Sequence, residues 1–107
     1  MIKFRIFGIN ISMKYAICYN KDIKNSEQSL EALTNILTWK NIQPDIFEIS
    51  DMKSGYDFVF VIGGDGTILK AARFYTKTPV FGINLGRLGF LSQTSKDNLK
   101  DAVDKII

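Results

Sequence analysis

Asp57–Ile62 (DFVFVI) is a nearly unbroken apolar run that ends directly in Gly63-Gly64-Asp65-Gly66-Thr67. A strand with water on one face alternates apolar and polar residues. One that does not alternate is buried on both faces, as in parallel sheets. Parallel neighbours need a crossover between them, usually a helix. This one segment therefore points to an α/β domain.

The flanking sequence supplies the pieces. Lys14–Asn20 (KYAICYN) reads as strand then loop, and Asp45–Ile49 (DIFEI) as a second strand. Between them Leu30, Leu33 and Leu37 recur at helical spacing, with Ile36 and Trp39 widening the stripe. Asn25 or Ser26 is placed to cap that helix, and Pro44 to close it. Lys53-Ser54-Gly55 marks a turn. A further helix is expected from Thr67 to about Thr76, with Thr67 as its N-cap. Val80–Ile83 is a short strand leading into Asn84–Phe90 (NLGRLGF). Thr94 or Ser95 caps a last helix that carries Leu99, Val103 and Ile106 on one face. The order β-α-β-β-α-β-loop-α predicts an open, mostly parallel sheet with helices on both faces. Both glycine loops then lie at the carboxyl edge of the strands, where such sheets bind ligands.

Composition narrows the chemistry. A chain of 107 residues makes one domain and buries roughly two-thirds of its unfolded surface. There is no histidine and one cysteine, so no internal disulfide or zinc cluster is available. Chemistry must run on carboxylates, hydroxyls, lysines and backbone dipoles. The net charge is +3, and the basic residues form no stripe interleaved with aromatics, so no nucleic-acid partner is expected. No stretch reaches the roughly 18 apolar residues of a membrane helix, so no membrane partner is expected either. Residues 1–12 (MIKFRIFGINIS) are interrupted by Lys3, Arg5 and Asn10 and do not read as a secretory signal, which makes the cytoplasm the expected location. Met13 offers an alternative start. Residues 1–12 then form a lead segment or an extra edge strand outside the domain at 13–107.

Gly63–Thr67 joins a buried strand to a helix start. Glycines there let a ligand approach the backbone, and the helix N-terminus favours phosphate. The loop is neither a Walker A sequence nor the dinucleotide fingerprint, because Leu69 stands where the third glycine of the latter belongs. Asp65 sets it apart. An acid among phosphate-binding amides needs a task, and two fit: holding Mg²⁺, or accepting a proton from an attacking hydroxyl. In the second loop Asn84 offers donors and an acceptor, Gly86 and Gly89 keep the floor open, and Arg87 faces phosphate or solvent. Phe90 and Leu91 read as anchors to the core, Arg73 and Lys77 as solvated charges, and Cys18 as a small core residue.

Gly63–Thr67 (GGDGT), followed nineteen residues after Asp65 by Asn84–Leu91 (NLGRLGFL), resembles the amino-terminal domain of NAD kinases. That family phosphorylates the 2′-hydroxyl of the adenosine ribose of NAD to give NADP, using ATP or polyphosphate with a divalent metal such as Mg²⁺. The resemblance implies that Asp65 accepts the proton and that Gly66 and Lys70 contact NAD. Gly63, Gly64 and Thr67 join them around the nucleotide, and Asn84 and Gly86 contribute from the second loop. It names no metal ligand in this chain. It also implies a β-rich second domain, whose Asn-Glu pair and Thr-Gly-Ser-Thr-Ala-Tyr stretch do not occur in these residues. Little or no turnover is therefore expected of residues 1–107 alone, and homo-oligomers only with that second domain.

GGDGT by itself is shared, in versions, with lipid kinases and phosphofructokinases. A lipid kinase would carry Pro-x-Gly-Thr-Gly-Asn where this chain has Gly82-Ile83-Asn84-Leu85-Gly86-Arg87. A lipid or other small-molecule kinase that shares the GGDGT loop, and a non-catalytic nucleotide-binding module, are the alternatives.

Overall fold

A computed structural model describes residues 3–6, 9–85 and 93–107. Its main sheet has four strands, all parallel, in the order β4-β3-β5-β6. These are β3 (Tyr15–Tyr19), β4 (Asp45–Glu48), β5 (Phe58–Gly63) and β6 (Val80–Asn84). Ahead of them β1 (Lys3–Ile6) and β2 (Ile9–Ser12) pair antiparallel with each other. The two strands form a separate two-stranded sheet.

Alternation along β3 and β5 divides the core in two. Tyr15, Ile17, Phe60 and Ile62 face α1 (Ser26–Trp39) and α3 (Gln93–Ile106), which add Leu33, Leu37, Leu99 and Val103. Ala16, Cys18, Val59 and Val61 face α2 (Asp65–Phe74), which adds Ala71. Larger side chains thus lie under two helices and smaller ones under one, so α2 sits close to the sheet. Gly82 shows how close: a Cβ there would come within 2.9 Å of the Ile68 side chain. Phe60 is fully buried, and truncating it to alanine would cost about 3–5 kcal/mol. Helices on both faces of a parallel sheet make this the α/β class that the strand pattern predicts.

The helix ends differ from expectation. Asn25 is the N-cap of α1, but in the left-handed region (φ 70°) and with no side-chain cap bond. The Ser26 N–H bonds to the carbonyl of Ile23 instead. The helix stops before Pro44 can act. Asn41, at φ 62°, lets its own N–H reach the Thr38 carbonyl and the Ile42 N–H reach that of Leu37. That is a Schellman end, and Ile42 and Leu37 meet in the core beneath it. Trp39, read as part of the apolar stripe, is 88% exposed, while Ser26 and Ser29 take buried positions. Beyond β4, Ile49 leaves the strand for one 3₁₀ turn, Ile49–Asp51, whose Ser50 N–H donates to Glu48 Oε1 at 2.8 Å. The α2 helix begins at Asp65 with Gly64 as its N-cap, so Thr67 lies inside it and caps nothing. Likewise α3 already contains Thr94 and Ser95. Leu99 and Val103 are buried and Ile106 packs against the same cluster, as the helical spacing requires.

Candidate functional site

The chain leaves β3 through α1 toward β4, and leaves β5 through α2 toward β6, on the opposite face. The direction of crossover therefore reverses between β3 and β5. In open parallel sheets the crevice beyond the carboxyl ends at such a reversal is where ligands bind. Three segments meet there: Asn20 just after β3, Gly63–Thr67 after β5, and Asn84 at the end of β6.

Gly63 is the last residue of β5 and pairs in register with Asn84 of β6. Gly64 is extended (φ −92°, ψ −172°), and Asp65 opens the helix. The first turn closes when the Ile68 N–H donates to the Gly64 carbonyl at 3.1 Å. N–H groups of a helix's first turn lack intrahelical acceptors, and the dipole there favours negative charge. Asp65 is exposed, and its Oδ1 accepts a hydrogen bond from Asn84 Nδ2. The nineteen-residue spacing of the two motifs is thus a direct side-chain contact in the fold.

The three glycines are not equivalent. A Cβ at Gly63 would lie 2.5–2.7 Å from the side chain of Thr67, whereas one at Gly64 or Gly66 would meet nothing within 4 Å among the described residues. Gly63 is buried to make room for Thr67, and Gly64 and Gly66 front open space. Thr67 is 7% exposed, and its Oγ1 accepts from Asn20 Nδ2 at 2.9 Å. Gly63 and Thr67 therefore form the back of the loop, and Gly64, Asp65 and Gly66 its front. Lys70 and Arg73 are exposed on α2, and Lys77 is exposed just beyond its end. Gly86 lies outside the described residues, together with Arg87, Gly89, Phe90 and Leu91.

Asn20 is the site residue that sequence reading passed over as loop. Its signal was its place, an amide side chain directly after a central strand. Cys18 is fully buried on the α2 face, where burial pushes its thiol above the usual range. Its sulfur lies 3.7 Å from the hydroxyl of Tyr75, which in turn donates to the Lys53 carbonyl at 2.6 Å. Burial also raises the Tyr75 phenol, so both groups stay neutral and belong to the core. Among the described residues no group of three or more Cys, Asp or Glu gathers to hold a metal, and no helix is long and apolar enough to cross a membrane.

Comparison with known proteins identifies the family. The family model described as ATP-NAD kinase N-terminal domain matches residues 6–107. An NAD kinase of Chlorobium limicola is 33% identical over 108 aligned positions, which cover 89% of this chain and 38% of that protein. An NAD kinase of Magnetococcus marinus is 44% identical over 71 positions, covering 62% of this chain and 23% of its own. NAD kinase 2 of Prochlorococcus marinus is 42% identical over 73 positions, with 66% and 22% covered. The chain thus spans two-fifths or less of the length of these relatives. A carboxyl-edge glycine loop holding Asp65 against Asn84, and a family match across nearly all of the sequence, lead to one assignment: the chain belongs to the NAD kinase family, by that family's amino-terminal domain.

Proposed function

We propose that this domain supplies one side of an NAD kinase site, at which the γ-phosphoryl group of ATP passes to the 2′-hydroxyl of the adenosine ribose of NAD. The observation that carries this reading is the exposed Asp65 at the start of α2, held by Asn84 beside the open fronts of Gly64 and Gly66. In the proposed reaction Asp65 orients the ribose hydroxyl and takes its proton. The amides of the Gly64–Gly66 front and the α2 dipole meet phosphate oxygens, and Lys70 reaches the pyrophosphate of NAD. The hydroxyl oxygen forms its bond to γ-phosphorus as the bond from that phosphorus to the β,γ-bridging oxygen breaks, and ADP leaves. Phosphoryl transfer passes through a loose transition state, so positioning and charge neutralisation outweigh proton abstraction.

Mg²⁺ is part of the proposal as an ion carried mainly by the donor's phosphates, since it binds proteins through few carboxylates and keeps most of its ligands from water and phosphate. When bound, it neutralises the donor's charge. Polyphosphate is the alternative donor. We also propose the cytoplasm as the location of the reaction. Both substrates must be held to a fraction of an ångström, which calls for walls on both sides of a cleft. Residues 1–107 alone are accordingly expected to give little turnover.

The test is product identity. A complete kinase protein that carries this domain is incubated with NAD, Mg²⁺ and either ATP or polyphosphate, and the product is read by phosphorus NMR and an NADP-specific dehydrogenase. A new 2′-phosphomonoester on NAD supports the proposal. Phosphorylation of a lipid or sugar acceptor, with NAD left unchanged, would overturn it.

A further inference from the structure

The Asn20 side chain uses both of its ends. Oδ1 accepts the N–H of Asp22 at 3.0 Å, closing the loop after β3, and Nδ2 donates to Thr67 Oγ1 at 2.9 Å, 47 residues along the chain. Because the Asp22 N–H can only donate, it fixes which end of the amide is oxygen, and the NH₂ must point at Thr67. The main chain is tied as well: the Asn20 N–H donates to the Ile62 carbonyl at 3.0 Å, extending the β3–β5 ladder by one rung.

Register makes the arrangement symmetric. Tyr19 pairs with Ile62, so Asn20 falls beside Gly63 on the β3 side, while Asn84 pairs with Gly63 on the β6 side. Two asparagines thus flank the last residue of β5, and each bonds into the first turn of α2. Asn84 holds Asp65 directly. Asn20 holds Thr67, two residues further on, whose side chain is wedged against Gly63.

We propose that Asn20 is a positioning residue of the phosphoryl-transfer site: through Thr67 it fixes the first turn of α2, and so the direction of the Asp65 carboxylate, from the side opposite Asn84. It touches no substrate. This rests on the reading of Asp65 given above. A displacement of about 1 Å in a reacting group can cost about a hundredfold in rate, so loosening this turn should show in the transfer step.

The experiment uses the complete kinase protein that carries this domain. Asn20→Ala is expected to lower kcat by about 10- to 100-fold while the dissociation constant for NAD moves by less than about threefold. Thr67→Val removes the acceptor but keeps the shape that fills the space at Gly63, and should reproduce that split; Thr67→Ser should retain more of kcat than Thr67→Val. Since Asn20 acts through Asp65, Asn20→Ala made in an Asp65→Asn background should cost little further rate. Folding is checked by circular dichroism, and should Asn20→Ala fail to fold, the Thr67 pair carries the test. An unchanged kcat in the folded Asn20→Ala or Thr67→Val protein would overturn the proposal, as would an undiminished loss in the Asp65→Asn background. Should Asp65→Asn itself keep nearly full kcat, the reading of Asp65 fails, whatever Asn20 does.

Discussion

The two ends of the sheet carry the same kind of residue to different effect. At the amino end the exposed Asp57 accepts the Lys14 N–H at 2.7 Å, and Asp45 accepts the Tyr56 hydroxyl at 2.6 Å. Burial, then that bond to Asp45, push the Tyr56 phenol up to about 12, so it remains a donor across the working range of pH. Both carboxylates there close connections between strands. At the carboxyl end the exposed Asp65 is gripped by a side-chain amide, and the backbone around it is glycine. An acid bonded to main chain or phenol serves the fold. In the proposed function Asp65, which accepts from an amide beside glycine backbone, is placed for a ligand, and that separates it from Asp57.

The contrast can be attacked first at Gly63. Gly63→Ala drives a methyl group into Thr67 and should destabilise the protein by about 1–3 kcal/mol, read from urea unfolding. A cost near zero would mean that the back of the loop is not packed as described. Next in size is Asp57→Ala, which removes an exposed, charge-assisted bond. It should cost about 1 kcal/mol, at the low end for such bonds because water competes for the groups. Gly66→Ala sharpens the division within the loop. With open space before it and a helical position to occupy, it should leave stability within about 0.5 kcal/mol or raise it slightly. The same change should weaken nucleotide binding measured by calorimetry, because the methyl group occupies the front.

The smallest effect belongs to Glu48, whose carboxyl is held at about 2, chiefly by the Ser50 N–H. A depressed carboxylate stabilises the fold above its unfolded pKa and loses that contribution as pH falls through the folded value. The difference in thermal midpoint between the protein and Glu48→Gln should therefore be present at pH 7 and fade between the usual glutamate range and about pH 2. A difference that grows on acidification would contradict the assignment.

Much of this was legible in the sequence, for physical reasons that differ by residue. The Asp57–Ile62 run betrayed a central strand because burial on both faces erases alternation. Glycines flanking an acid marked the turn from β5 into α2, because a strand that ends in glycine lets the next helix start at once. What failed were features decided by distant or backbone geometry. Thr67 was read as a cap because hydroxyl residues favour that position, yet Gly64 starts the helix and the hydroxyl is taken by Asn20. Pro44 seemed to end α1, but Asn41 had already turned the chain by entering the left-handed region. Trp39 lies about 200° around the helix from Leu37, so its apolar character misled where its angle would not have. Asn20 stayed hidden because its partner is 47 residues away and nothing local announces it.

The central claim is that the acid at the carboxyl end acts in chemistry while its counterpart at the amino end acts in folding. Its most direct test is to make the same change, Asp to Asn, at positions 65 and 57 of the complete kinase protein and measure kcat and NAD affinity for both. The account predicts that Asp65→Asn loses about 10²- to 10⁴-fold in kcat with NAD still bound, and that Asp57→Asn keeps its rate. Equal losses at the two positions, or a rate preserved in Asp65→Asn, would contradict it.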